Sequence, residues 1–382
     1  MPRLVPSPRF VSPAALALAG LLCACGSGAG GGPVYFGLAA PLHNSTGQAY
    51  AIGESTRQGA DLAVRQVNDG GGIRGRRLEL VVRDDSARPD RAIAVAGEMV
   101  RDARVLAVAG HANSGKVIKA APTYEGHVAA LATSATSPEI TSSGDWTFRV
   151  ASSDAGNAVV MARRALAVSP RIAVLYSNDD FGHGLSAPFE AEVLRGGGTI
   201  VEEDPYLPEM DDFTPYLLRI RGRGVRMVFI AGVDVGAAKI IAQARRVGLD
   251  ATFMGSSALE RLKTMGPAYE GTLVGLLYHP DASPSARRFA DAFRQAYGHE
   301  PDSFAVCAYD AVMLLARAAR EAGPDRGAIR GYLAGVGAAS DGAAPFAGAA
   351  GTLRFDRNGD PVDKSFVIGA IRGGAMVLEG RR

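Results

Sequence analysis

The chain has 382 residues, 41 Lys and Arg against 39 Asp and Glu, a 47% hydrophobic and 21% charged composition, 48 glycines and 3 cysteines. Setting aside residues 1–24, which hold Arg3 and Arg9 and no acid, leaves 39 basic and 39 acidic residues. That balance argues against a dedicated nucleic-acid binder, which needs a cationic surplus on one face to neutralise phosphates. Disorder and coiled coil are excluded, and at this length a single core usually splits into two domains.

The first 24 residues read as an export leader. Arg3 and Arg9 give a basic start, Phe10 to Leu22 is an apolar run, and Ala24 precedes Cys25. The run falls short of the roughly 20 apolar residues needed to span a bilayer. Leu22-Cys23-Ala24-Cys25 resembles a bacterial lipobox, which implies cleavage after residue 24 and a lipidated Cys25 as the new N-terminus. A plain secretory leader with incidental cysteines is the alternative. Residues 26–32 contain only Gly, Ser and Ala and form a flexible tether with a reach of about 15 Å. Acyl chains gaining about 0.8 kcal/mol per buried CH₂ would make such an anchor close to permanent. The remaining body has only Cys307, so no internal disulfide forms there; Cys307 lies in an apolar helical run and reads as a small buried hydrophobe.

Strand and helix patterns alternate along the body. Val34 to Ala39 reads as a buried strand, and Glu54 to Asn68 as a helix with Ala60, Ala63, Val64 and Val67 on one face, stopped at Gly70 to Gly72. Leu78 to Val82 is a strand, Pro89 to Arg101 a helix, Val105 to Ala109 a strand and Ser114 to Glu125 a helix. The period repeats: helix Asp154 to Val168, strand Ile172 to Tyr176, helix Gly184 to Leu194, strand Ile200 to Glu203, helix Phe213 to Arg221 and strand Val225 to Ile230. Helix Asp234 to Val247 and strand Ala251 to Met254 complete it. The fold class is therefore α/β, with two doubly wound, Rossmann-like parallel sheets. After the strand Leu273 to Leu277 come long helices at Ser285 to Tyr297 and Phe304 to Ala322, which return to the first unit, and a Gly- and Ala-rich stretch from Gly331 to Gly351. Strand candidates follow at Leu353 to Phe355, Phe366 to Ile371 and Met376 to Leu378. The turn Asp356-Arg357-Asn358-Gly359-Asp360 favours a hairpin between the first two.

In open α/β sheets ligands bind beyond the carboxyl ends of strands. Gly110 to Val117 follows a strand and opens a helix in that place. It nearly spells a phosphate loop, but Val117 stands where a Mg²⁺-binding hydroxyl belongs, so an NTPase is disfavoured. What remains is an anion site at a helix start, with Ser114 either capping the helix or facing a ligand. Thr133 to Glu139 offers further hydroxyls to a ligand, or Ser137 caps a short helix begun by Pro138. Asn178 to Gly182 follows a strand of the second unit, and Phe181 there is placed to close over a ligand. Asp84-Asp85 reads as a loop cap rather than a metal pair. No nucleophile elbow, HExxH, paired CxxC or GxGxxG appears, the six histidines are scattered, and no catalytic residue, metal or cofactor is implied.

A succession of segments resembles the branched-chain amino-acid-binding family of type I periplasmic solute-binding proteins of ABC importers. These are Gly37 to Leu42, Gly59 to Val64, Asn68 to Gly75, Asp84-Asp85, Gly110-His111, Ser134 to Glu139, Phe181 to Leu185, Gln243 to Leu249 and Phe253 to Gly255, in matching order from about residue 33 onward. The resemblance implies two lobes, 33–150 plus 280–350 and 151–279 plus 351–382, joined by three hinge crossings. It implies closure on a ligand and presentation to a membrane permease from the cell envelope. It further implies that Ser114 and Thr136 hold a carboxylate, helped by Ser134 and Ala135. An acid that holds the α-ammonium in relatives falls on Ser257. Without that charge a desolvated ammonium would cost several kcal/mol, unless Asp234 or Glu260 substitutes. Aromatic positions of the family fall on Ile52, with Tyr50 close by, on Val233 and on Phe181. The implied partner is a small carboxylate or an amino acid, held in an apolar pocket. A lipoprotein that senses a ligand and signals through another protein, and a ligand-free envelope-assembly lipoprotein, are the alternatives.

Overall fold

The computed structural model describes residues 1–2, 31–338, 342–364 and 366–379. The leader and Cys25 assigned above lie outside the described residues. Strands β1 (Val34–Ala40), β2 (Leu78–Asp84), β3 (Val105–Gly110), β4 (Ala130–Ala132) and β5 (Thr147–Arg149) form a parallel sheet in the order β2-β1-β3-β4-β5. Helices α1 (Ala51–Asp69), α2 (Pro89–Arg101) and α3 (Ser114–Tyr124) connect its first four strands. Almost every residue of β1 is buried, as expected where helices cover both faces of a parallel sheet. Cores of buried side chains lie on both faces, one holding Phe36, Leu38 and Leu131, the other Met99, Val108 and Tyr124.

The second sheet repeats the plan. After α4 (Asp154–Leu166), strands β6 (Arg171–Ser177), β7 (Thr199–Tyr206), β8 (Met227–Ala231), β9 (Thr252–Gly255) and β10 (Leu273–Leu276) alternate with α5 (Asp180–Arg195), α6 (Thr214–Gly222) and α7 (Asp234–Arg246). The chain then returns to the first sheet as α8 (Pro284–Tyr297), α9 (Ser303–Glu321) and α10 (Arg326–Ala334), and as the short pair β11 (Phe346–Gly348) and β12 (Gly351–Leu353). Finally β13 (Val367–Arg372) and β14 (Ala375–Leu378) rejoin the second sheet, whose order is β14-β13-β10-β9-β8-β6-β7. Helix α9 packs along α1 so closely that a Cβ on Gly59 would lie 1.9 Å from the Ala305 carbonyl oxygen. Cys307 is fully buried in that helix.

Two expectations about the end of the chain are corrected. Leu353 pairs with Phe346 across β11 and β12, not with the strand from 366. The turn at Asp356 to Asp360 closes only a single bridge, Phe355 to Pro361, while β13 pairs antiparallel with β10 and β14. The reason is burial: Ile368 to Ile371 is covered on both faces, which an isolated hairpin does not provide. Leu353 and Phe355 lie in the core of the first sheet, so the last crossing falls after residue 355 rather than at 351. Helix α10, which runs into the Gly- and Ala-rich stretch, has no counterpart in the sequence reading.

Candidate ligand-binding site

The loops that follow the carboxyl ends of β3 and β4 in one sheet, and of β6, β8 and β9 in the other, meet around a small cavity of about 30 Å³. On the side of the first sheet it is lined by Ile52, Ala112, Asn113, Ser114, Ser134, Ala135, Thr136 and Phe304; on the other by Phe181, Val233, Ser256, Ser257 and Ala258. Of the ten candidate binding residues, eight line this one cavity: Ile52, Ser114, Ser134, Ala135, Thr136, Phe181, Val233 and Ser257. Tyr50 packs just behind, against the small cluster of Ile52, Ala112 and Phe304. Asp234 follows Val233 as the first residue of α7 and is buried.

The β3 loop is set by its glycine. Gly110 has φ +134°, and a Cβ there would meet the Ala39 carbonyl oxygen at 2.2 Å, so the chain turns where only glycine fits. His111 next to it is buried and meets Asp85 Oδ2 through Nδ1 at 2.6 Å and the Tyr124 hydroxyl through Nε2 at 3.3 Å. Asp85 thus does more than cap its own loop, although its Oδ1 does accept from Ala87 N at 3.0 Å. Ser114 is not the N-cap of α3: Asn113 holds that position, and Ser114 is the first helical residue. Its Oγ accepts from Thr136 N at 3.3 Å and Ser137 N at 3.2 Å, which leaves its own proton to donate. Residues at a helix start also have amides without intrahelical partners, so this corner is rich in donors.

The Thr133 to Ser137 loop is braced from beneath. Ser134 Oγ donates to Ala112 O at 2.9 Å, and Ser137 caps the short helix Pro138–Ser142 through Glu139 N at 3.4 Å, the structural role allowed for it above. Arg149, fully buried on β5, donates through Nη1 to Thr136 O at 3.3 Å and Ser137 O at 2.8 Å, and pairs with Asp360 at 2.6 Å. Asp154 N donates to Thr136 O at 2.8 Å. Burial pushes the Asp154 carboxyl up to about 6, against the pull of Thr136, Asn157 and Arg149.

The fold of two covered parallel sheets is shared with known proteins. The family model described as periplasmic binding protein matches residues 33–375. The chain belongs to this family. Leu/Ile/Val-binding protein homolog 1 of Brucella suis biovar 1 is 30% identical over 88% of this chain and 89% of its own. A solved ABC transporter substrate-binding protein from Desulfitobacterium hafniense, in complex with Leu, is 29% identical, with a TM-score of 0.76 and coverage of 91% and 99% of the two chains. The leucine binding protein LivK of Thermotoga maritima gives 26% identity, a TM-score of 0.81 and coverage of 91% and 98%. Members of the family are solute-binding proteins, not enzymes.

In this periplasmic binding protein the two acids weighed as substitutes at the amine side both face a cation of the chain itself, although Asp234 Oδ2 makes no hydrogen bond to its cation. Asp234 Oδ1 accepts from Val235 N at 2.9 Å, and Oδ2 faces Arg261 Nη1 at 3.5 Å. Burial raises its carboxyl above the usual range. Burial, and then Asp234, push the Tyr50 phenol up as well. Glu260 Oε1 meets Lys263 Nζ at 3.2 Å, and its Oε2 accepts from Ser303 N at 3.0 Å. That last bond ties the segment after β9 to the start of α9, across the two sheets. Residues not anticipated from sequence are Asn113, Ala112, Ser256, Ala258 and Phe304 on the walls and Arg149 and Asp154 beneath. The first four adjoin anticipated residues. Phe304 lies far along the chain and carried no local signal beyond opening a helix.

Proposed function

We propose that this periplasmic binding protein is the lipid-anchored substrate-binding component of an ABC importer, capturing a small carboxylate or amino-acid-like solute by cleft closure and delivering it to a membrane permease. The observation that carries this reading is a cavity walled from both sheets, with hydroxyls and a helix start on one side and apolar side chains on the other. Such a site holds a polar headgroup and shelters an apolar body. The names of the relatives, which bind Leu, Ile or Val, point the same way. The moving parts are two lobes, 33–150 with 280–355 and 151–279 with 366–379, hinged where the chain passes between the sheets. The bond from Ser303 N to Glu260 joins the two lobes.

A thermal-shift screen of the purified protein against amino acids, carboxylates, amides and short peptides tests the binding reading. A ligand at 100 times its Kd adds about 2.7 kcal/mol, seen as a higher Tm, whereas no shift across the panel contradicts the reading. Small-angle scattering with the best ligand is expected to show a smaller radius of gyration. For the anchor, Cys25→Ser moves the protein from the membrane to the soluble fraction; continued membrane attachment contradicts lipidation at that residue.

A further inference from the structure

We propose that the solute is a carboxylate without an α-ammonium group, its headgroup held at Ser114 and Thr136 and its apolar body against Ile52, Phe181, Val233 and Phe304. The inference rests on the solute-binding reading above and narrows it to one chemical class.

The charge around the cavity decides the class. Among the described residues lining it there is no Asp, Glu, Lys or Arg. An ammonium brought into such a site loses its water and meets only hydroxyls and carbonyls, and a buried charge without a partner is strongly disfavoured. The acids that border the cavity face partners within the chain, although Asp234 Oδ2 makes no hydrogen bond to its own. Asp234 faces Arg261 and Glu260 faces Lys263. Asp302 accepts from Phe304 N at 3.0 Å, Ala305 N at 2.9 Å and Ser55 Oγ at 2.7 Å. Asp179 accepts from Phe181 N at 3.0 Å and Gly182 N at 2.8 Å as the cap of α5. Asp180 lies against Gly115 in the first turn of α3, where the helix end supplies the opposite charge. Taking one of these acids for a ligand ammonium would strip Arg261, Lys263 or a helix end of its partner.

A carboxylate meets the reverse situation. The Ser114 Oγ proton is free to donate, since that oxygen serves as acceptor toward two backbone amides. The α3 start stands beside it, as does the Thr136 hydroxyl, which also bonds the buried Asp154 carboxyl. Hydrogen bonds to an ionised acceptor are about twice as strong as neutral ones, so no cationic side chain is needed. Asn113, also on this wall, has a buried side-chain Oδ1 with no hydrogen-bond partner; with the amide turned over, its NH₂ becomes a further donor to the headgroup.

The test is calorimetric titration of the purified protein with matched pairs: 4-methylpentanoate against L-leucine, and 3-phenylpropanoate against L-phenylalanine, with 4-methylpentanamide as the neutral control. The expected result is at least tenfold tighter binding of the amine-free acid in one pair, with the amide weaker than the acid. Tighter binding of the amino acids overturns the inference and leaves the solute-binding reading intact; loss of that binding in Asp234→Asn would then identify Asp234 as the ammonium partner. A preference for the amide overturns it as well. No heat and no thermal shift with any compound, here or in the wider screen, removes the solute-binding reading itself.

Discussion

The two walls of the cavity are built from the same kind of element, a loop between a strand end and a helix start, yet they differ in chemistry. On the first sheet the loops after β3 and β4 present Ser114, Ser134 and Thr136, and a buried scaffold of Arg149, Asp154 and Asp360 holds the backbone beneath them. On the second, Phe181, Val233 and Ala258 stand with the hydroxyls of Ser256 and Ser257, and the charged groups nearby pair with one another. Fold alone therefore does not decide what such a site takes. In the proposed reading the first wall recognises one charged headgroup, while the opposing wall contributes closure and exclusion of water, in which every hydrogen bond on the first wall gains strength.

The largest effect is expected from removing the recognising wall. The double variant Ser114→Ala with Thr136→Val loses two hydrogen bonds to an ionised headgroup, each contributing about 1.5–3 kcal/mol, so calorimetry should show affinity falling more than a hundredfold. A loss below tenfold would mean that the headgroup sits elsewhere. Next comes the scaffold under that wall. The folded-state pKa of Asp154 lies near 6, above the ordinary aspartate value, so the folded protein binds more protons than the unfolded one between about pH 4 and 6. Stability therefore falls as pH rises through that window and is level above it. Asp154→Asn flattens part of that slope and stabilises the protein by up to about 3 kcal/mol above pH 6, measured by denaturant unfolding at several pH values. The slope does not vanish, because Asp310, accepting from Ala349 N and Ala350 N, is raised to about 6 by the same burial. An unchanged slope in Asp154→Asn would show that the carboxyl is not desolvated.

The second wall gives the smaller effects. Ser257→Glu places an acid in this wall; it is expected to tighten L-leucine binding at least tenfold and to lower Tm, since Ser257 is 8% exposed and an unpaired buried charge is costly. No gain for leucine would mean that the wall is too far from the solute to act on its amine. Phe181→Ala removes a half-buried ring from the cavity; a weakening of roughly tenfold for every ligand alike, about 1.4 kcal/mol, is the expected outcome, read as a faster off-rate. A selective effect on one ligand would assign Phe181 to recognition rather than closure.

The sequence made the parallel sheets legible because the strands are short apolar runs buried on both faces, and such runs alternate with helices of clear period from Val34 to Leu276. Eight of the ten candidate binding residues fall on one cavity because the loops that carry them all leave strands at the same end, a consequence of parallel pairing rather than of any single motif. What escaped the sequence is long-range. Nothing local indicated that Phe304 returns to the cavity, that Asp85 reaches His111, or that Arg149 braces the Thr136 loop against Asp360. The status of Asp234 and Glu260 was equally hidden, since a buried acid is free or spoken for according to which cation the fold brings to it. The misplaced hairpin has the same origin: Asp356 to Asp360 does make a turn, but the partner of β13 was fixed by which sheet needed an inner strand.

The most direct test of the central claim is a crystal structure of the protein bound to whichever carboxylate stabilises it most. The account predicts one carboxylate oxygen within about 2.5–2.9 Å of Ser114 Oγ or Thr136 Oγ1, the apolar body against Phe181 and Val233, and the Asp234 to Arg261 pair intact. A headgroup seated on Arg261 with that pair broken, or a ligand bound outside this cavity, would contradict it.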